Sequence, residues 1–174
     1  MFFYKSGLTL LELVISIFIL AILALLLAPT FHEIQAKQES KLTNISLRNY
    51  IQHSKHSATL SKQDIMLCPS TDGETCSHTN DWGKGILMFK DSNKNRVFDT
   101  AEQKIDFIVL NLKYAELKWS GSRGSNFIIF KGDTGLPRGH IGHFTYCNMT
   151  NIEHSYETTL SMMGHVRHLP IKSC

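Results

Sequence analysis

No C-x-x-C, H-E-x-x-H or G-x-S-x-G segment occurs in these 174 residues, so the commonest zinc and serine-nucleophile signatures are missing. No paired-carboxylate site appears either, and the nine histidines are scattered through polar stretches, where they usually serve as surface residues. Neither an enzyme nor a cofactor is indicated. Charge of one sign is also scarce. Eighteen basic residues face 15 acidic ones, for a net charge of +3, which excludes a general nucleic-acid binder and leaves anion binding to local clusters. There is no 20–50-residue repeat and no Ser- or Pro-rich linker that would divide the chain. A second apolar run of spanning length is absent too, which excludes a multi-span transporter.

What is present is one such run. Of the 21 residues Leu8–Ala28, all but Thr9, Glu12 and Ser16 are apolar. As a helix the run is about 31 Å long, against a hydrocarbon core of about 30 Å. The remaining Pro29–Cys174 holds 52 apolar residues in 146, a rather polar composition. The chain thus reads as a lipid-compatible rod followed by a polar head. Lys5 just before the run favours a cytoplasmic N-terminus. An ordinary secretory signal fits badly, because its apolar region is shorter and ends in a small-residue cleavage site that is missing after Ala28.

Four cysteines, Cys68, Cys76, Cys147 and Cys174, allow three pairings. Cys68–Cys76 with Cys147–Cys174 is favoured, since each closes a modest loop and the second ties down the final residue. On chain-entropy grounds such loops stabilise by roughly 2.5 and 3.5 kcal/mol. Disulfides imply an oxidising compartment.

From Thr30 to about Leu60 there is neither glycine nor proline. Phe31, Ile34, Leu42, Ile45, Leu47, Tyr50, Ile51 and Ala58 recur near a 3.6-residue period, which predicts the outer half of a long helix whose apolar stripe packs on a β domain. Short strands are predicted at Ile65–Cys68, Ile86–Lys90, Ile105–Leu110, Lys113–Ser120, Asn126–Lys131, His140–Cys147, Glu157–Met163 and His165–Ile171, with Gly, Asn, Asp and Ser clusters between them. The fold class is α+β: a long N-terminal helix packed on an antiparallel, β-rich head.

Glu12 is the residue that a plain anchor would not need, since a carboxylate early in a membrane helix costs on the order of 2–3 kcal/mol. A shallow position favoured by the helix dipole is the plain explanation. However, Gly7-Leu8-Thr9-Leu10-Leu11-Glu12 resembles the type IV prepilin signal: glycine, an apolar residue, Thr, two apolar residues and Glu. That resemblance implies cleavage between Gly7 and Leu8 by a prepilin peptidase and methylation of the new amine. It also implies that Glu12, the fifth mature residue, pairs with a neighbouring subunit's N-terminal ammonium during assembly. Leu8 departs from the family's usual Phe. Pro29 matches a kink proline common in these proteins.

The implied regions are a leader at 1–7, a membrane and filament-core helix at 8–28, its amphipathic continuation at 29–60 and a periplasmic head at 61–174. Within the head, Trp82-Gly83-Lys84-Gly85 and the strand and Asp/Asn loop after it resemble minor pilins and pseudopilins of the GspH/FimT family. The implied partners are other pilins or pseudopilins in a filament, the prepilin peptidase and the inner membrane.

Two local patterns bear on ligands. Asp91, Asn93, Asn95, Asp99 and Glu102 occupy positions 1, 3, 5, 9 and 12 of an EF-hand-like calcium loop. Position six, where that loop needs Gly, is Arg96, and Asn and Asp are ordinary turn residues, so a structural loop is preferred to a metal site. The stretch Gly164-His165-Val166-Arg167-His168, with Lys172 beyond it, resembles the G-R-x-R segment by which FimT-type pilins bind DNA. His165 stands where that segment has its first Arg, and a neutral imidazole attracts phosphate less than a guanidinium. Arg138, His140 and His143 are further candidates for the patch. Double-stranded DNA is the implied alternative partner, against a solvated terminal strand pinned by Cys174.

Overall fold

The computed structural model describes residues 9–99 and 101–174, apart from the side chains of 25–30 and 123. It comprises two compact units that meet between Gln35 and Ala36, with one helix, α1 (Leu10–Ser61), contributing to both. In the first unit, Thr9 caps α1. Its carbonyl accepts the first intrahelical bond, from Leu13 N at 3.1 Å, and its Oγ1 accepts from the Glu12 amide at 3.3 Å, satisfying one of the orphan donors of a helix start. The large apolar side chains from Leu10 to Leu23 are exposed.

The second unit holds eight strands in two antiparallel sheets. They are β1 (Ile65–Pro69), β2 (Gly85–Lys90), β3 (Lys104–Val109), β4 (Ala115–Gly121), β5 (Ile128–Phe130), β6 (Gly142–Asn148), β7 (Tyr156–Leu160) and β8 (Val166–Pro170). One sheet has the order β3-β2-β1-β5 and the other β4-β6-β7-β8. The main core lies between α1 and the two sheets. Leu47, Ile51 and Ala58 meet Ile65, Leu67, Ile86 and Phe130 from the first sheet and Leu117, Trp119, Phe144 and Tyr146 from the second.

The sheets differ in what covers their other faces. β4, β6 and β7 alternate buried and more exposed residues, as strands with one wet face should. β1 is buried throughout and β2 nearly so. Their second face carries Met66, Cys68, Leu87 and Phe89, which pack under Cys76, Phe98, Phe107 and Phe127. Disulfides join Cys68 to Cys76 and Cys147 to Cys174. The first holds the loop after β1 over that small second core.

The helix stripe needs correcting. Leu47, Tyr50, Ile51 and Ala58 are buried, but Leu42 and Ile45 are 63% and 55% exposed, and Phe31 and Ile34 are also exposed. At 100° per residue, Leu42 and Ile45 fall on the side of the helix opposite the buried residues. Small residues complete the head-facing side instead: Ala36, Ser40, Thr43 and Ser54 are buried. The Ser40 hydroxyl donates to the His154 carbonyl at 2.7 Å and that of Ser54 to the Tyr50 carbonyl at 2.7 Å, so burial leaves neither unpaired.

α1 ends at Lys62, whose φ of 57° is left-handed, the usual way for a helix to stop. Gly132 allows the chain to pass that point. A Cβ there would lie 2.5 Å from Gln63 N and from the Lys62 carbonyl carbon.

Candidate functional site

Gly7 and Leu8, the residues of the expected cleavage site, lie outside the described residues. Glu12 is in the first turn of α1, three residues after the Thr9 cap. This is the Thr-x-x-Glu spacing of a capping box, in a turn where the helix dipole favours negative charge. The Ser16 hydroxyl donates to the Glu12 carbonyl at 2.7 Å, which leaves the exposed carboxylate outside that bond. Pro29 lies within α1, and its side chain is not among those described. Among the described residues no helix is long and apolar enough to cross a membrane. Leu8 and the side chains of 25–28, which complete the apolar run, lie outside them.

The C-terminal candidates are spread over two faces of the edge strand β8. Arg167 pairs with Thr159 and Leu169 with Glu157, while His168 pairs with Thr158, which is fully buried. Arg167 is therefore on the outer, solvent side of the sheet. His143, also on that side, reaches Glu157 at 3.7 Å. His168 faces α1 instead. Its Nδ1 lies 2.7 Å from the Asn44 amide and its ring 4.5 Å from that of Tyr156. Burial, followed by the charge of Arg48, lowers the pKa of His168, so it adds little positive charge at neutral pH.

Gly164 has a φ of +71° and closes the β7–β8 turn by donating to the Ser161 carbonyl. That turn lies against Lys55 and Pro137. Arg138 instead pairs with Asp133 at 3.2 Å. His165 and Lys172 are exposed. The structure thus leaves Arg167 on the outer face of β8 and His165 exposed just before it, turns the exposed His168 toward α1 and pairs Arg138 with Asp133.

The Asp91–Glu102 loop bonds largely to itself. The Asn93 and Asn95 amide groups both donate to Asp99 Oδ2, at 3.0 and 3.1 Å. Their carbonyl oxygens accept from Asn95 N and Val97 N, and Asp99 Oδ1 accepts from Ala101 N. These oxygens hold the loop's turns. Among the described residues no group of three or more His, Cys, Asp or Glu is placed to hold a metal.

Two family patterns match the sequence. The type II transport protein GspH pattern covers residues 46–164, more than half the chain. The chain belongs to the GspH family. The prokaryotic N-terminal methylation motif matches residues 3–28. Two solved structures share the fold. The type IV minor pilin FimU of Pseudomonas aeruginosa is 13% identical with a TM-score of 0.54, the alignment covering 82% of this chain and 93% of that one. The minor pseudopilin EpsH from the Type 2 Secretion System of Vibrio cholerae is 14% identical with a TM-score of 0.52, covering 76% and 97%. No curated protein matches the chain. As a GspH/FimT-type minor pilin or pseudopilin, it is a structural filament protein.

In this GspH-family head, the pattern of single segments did not reveal one cluster. Lys62, Lys94, Arg96, Lys131 and Arg138 come from four stretches of sequence and line two adjoining clefts of about 500 and 480 Å³. Burial raises the pKa of Asp64 there, but bonds from Lys131 Nζ at 2.6 Å and Gly132 N at 3.0 Å outweigh it and lower the value.

Beside this cluster, buried Asp91 and Glu102 each have a carboxyl oxygen without a hydrogen-bond partner. Burial, then the Asp91 charge, raises the Glu102 pKa. The protonated form therefore stabilises the fold below the unfolded pKa of about 4.3, and that stability is lost as pH rises through the folded value. Glu102→Gln, which keeps an acceptor for Ser92 N, is expected to raise stability at pH 7.5 by about 1 kcal/mol, or roughly 3 °C in Tm. The gain should vanish near pH 4. A Tm difference independent of pH would count against the assignment.

Proposed function

We propose that the chain is a minor pilin or pseudopilin of a type IV pilus or type II secretion filament, acting in filament assembly or as a tip adaptor after a prepilin peptidase removes residues 1–7 and the Leu8 amine is methylated. The observation that carries this reading is the run Gly7-Leu8-Thr9-Leu10-Leu11-Glu12, with its acid held in the first turn of α1. Before assembly, residues 8–28 span the inner membrane with the N-terminus in the cytoplasm and the head, 61–174, in the periplasm. There the two disulfides suit an oxidising compartment. Residues 29–60 continue the helix, and Pro29 permits a bend by removing one helical donor. On assembly the apolar segment exchanges lipid for the side chains of neighbouring subunits. The Glu12 carboxylate gains an ammonium partner in a medium of low dielectric, where such a pair is strong.

The alternative is DNA capture for uptake, favoured by the exposure of Arg167 on the outer face of β8. With two to four phosphate contacts such binding would be weak and steeply salt-dependent.

One set of strains tests both readings. Glu12→Ala is expected to reduce the chain in sheared filaments at least tenfold while the membrane pool persists. Arg167→Ala is expected to leave incorporation unchanged. Mass spectrometry of the assembled protein should find Leu8 as the N-terminus, and retained Met1 would overturn the processing step. Loss of transformation with normal filaments in the Arg167→Ala strain would instead favour DNA capture.

A further inference from the structure

The clefts lined by Lys62, Lys94, Arg96, Lys131 and Arg138 adjoin a third, of about 470 Å³, with Arg96 and Phe127 lining both the second and the third. The third is walled by Met66, Val97, Phe98 and the Cys68–Cys76 disulfide. Together they make a groove that is cationic along one part and apolar in the next. Two of its cations are matched by carboxylates, Lys131 by Asp64 and Arg138 by Asp133. Among the described residues, Lys62, Lys94 and Arg96 have no carboxylate within 4.0 Å. Arg96 lies over the Phe127 ring, 5.6 Å from its centroid.

These three cations stand on unusual backbone. Lys62, Lys94 and Arg96 have φ values of 57°, 60° and 65°, a region that disfavours side chains with a Cβ. In the loop, the side-chain carbonyls of Asn93 and Asn95 hold the two turns by accepting from Asn95 N and Val97 N. Asparagine or glycine would suit the left-handed positions better. The loop has lysine and arginine there, and both point into the groove.

We infer that this groove binds an extended acidic peptide segment of a partner protein, a carboxylate side chain meeting Lys62 and Lys94 and a neighbouring apolar side chain entering the pocket of Met66, Val97, Phe98 and Phe127. The charge pattern favours a peptide over nucleic acid. Asp64, Asp91 and Asp133 interrupt the cationic wall, and a phosphodiester strand, charged at every nucleotide, needs a continuous basic track. A peptide with one or two carboxylates matches the small cationic excess, and its apolar residue uses the third cleft. This surface is separate from Arg167 and does not depend on the filament reading.

The test uses the full-length protein in nonionic detergent at low salt and the fluorescein-labelled peptide Glu-Leu-Glu-Leu-Glu, with Gln-Leu-Gln-Leu-Gln as control, read by fluorescence anisotropy. Saturable binding of the Glu peptide, at least tenfold tighter than the Gln peptide, is expected. Lys94→Gly/Arg96→Gly removes two charges and fits the left-handed backbone, so it should weaken binding at least tenfold without lowering Tm. Arg167→Ala should leave binding unchanged. Equal binding of the two peptides, or no loss in the glycine variant, would overturn the inference. So would tighter binding of a labelled oligothymidylate that is lost in the same variant, which would make the groove a single-strand site. If the glycine variant melts earlier, Lys94→Gln/Arg96→Gln replaces it and the same tenfold criterion applies.

Discussion

Replacing Trp82 with alanine is expected to cost the head about 4 kcal/mol, the middle of the range for removing a fully buried aromatic. Trp82 is fully buried, and its ring meets Phe144 edge-on at 5.1 Å. Phe144 in turn holds Trp119 at 4.7 Å, so the cavity would open beneath β4 and β6 together. The indole also has polar work. Its Nε1 donates to the side-chain oxygens of Asn80, at 3.1 Å, and Asn126, at 3.2 Å. Asn80 bonds both backbone groups of Trp119, and Asn126 donates to the Thr79 carbonyl at 2.6 Å. One ring therefore anchors the segment before β2, the edge strand β4 and the entry to β5. Trp82→Phe separates the two roles. It keeps most of the packing but withdraws the donor, for an expected loss of about 2 kcal/mol. Urea unfolding of the full-length protein measures both variants, and a cost below 1 kcal/mol for Trp82→Ala would contradict this account.

Glu39→Ala is expected to cost about 3 kcal/mol by a different route. From α1 the Glu39 carboxylate accepts from Lys113 N at 2.7 Å, Tyr114 N at 3.1 Å and the Tyr146 hydroxyl at 3.1 Å. Hydrogen bonds to a charged group contribute more than neutral ones, and removing the acceptor leaves a hydroxyl on fully buried Tyr146 without this partner. Burial and then the Glu39 charge already raise the Tyr146 pKa, so the phenol stays a donor. The clasp fixes the start of β4 to the helix within the second unit. Hydrogen exchange gives the specific readout: the amides of Lys113 and Tyr114 should lose protection in Glu39→Ala ahead of those in β1 and β2. Glu39→Gln should cost roughly half as much, because one of its two side-chain atoms can still accept. Equal stability of the native and alanine proteins would show that the clasp contributes nothing.

Strands with one wet face were legible in the sequence, because alternation is written locally: Ala115, Leu117 and Trp119 point inward, and Glu116, Lys118 and Ser120 outward. The N-terminal signal was legible for a similar reason, since residue order carries it. Strand ends were less clear. The segment predicted as Glu157–Met163 ends at Leu160 because Ser161 and Gly164 form the turn, and β6 starts at Gly142 after the His140–Pro137 turn. Sheet membership was not legible. Ile65 pairs with Phe130 across most of the head, and no local pattern encodes so distant a choice. The apolar stripe misled for Leu42 and Ile45, whose period fits a helix but not its head-facing side. At the C-terminus, the partner of His168 is Asn44, 124 residues away. The basic groove was hidden in the same way, because its cations approach one another only when four segments fold together.

The bond between Cys147 and the last residue changes how the molecule would bear tension. A pull between α1 and the C-terminus passes from β6 directly through that bond, so β7, β8 and the turn between them carry no load along the chain. The sequence separation of 27 that it bridges would otherwise add about 90 Å of extensible length at the spacing of an extended chain. Reduction would release that slack, making the outer half of the second sheet the part of the head whose mechanical strength depends on the redox state of its surroundings.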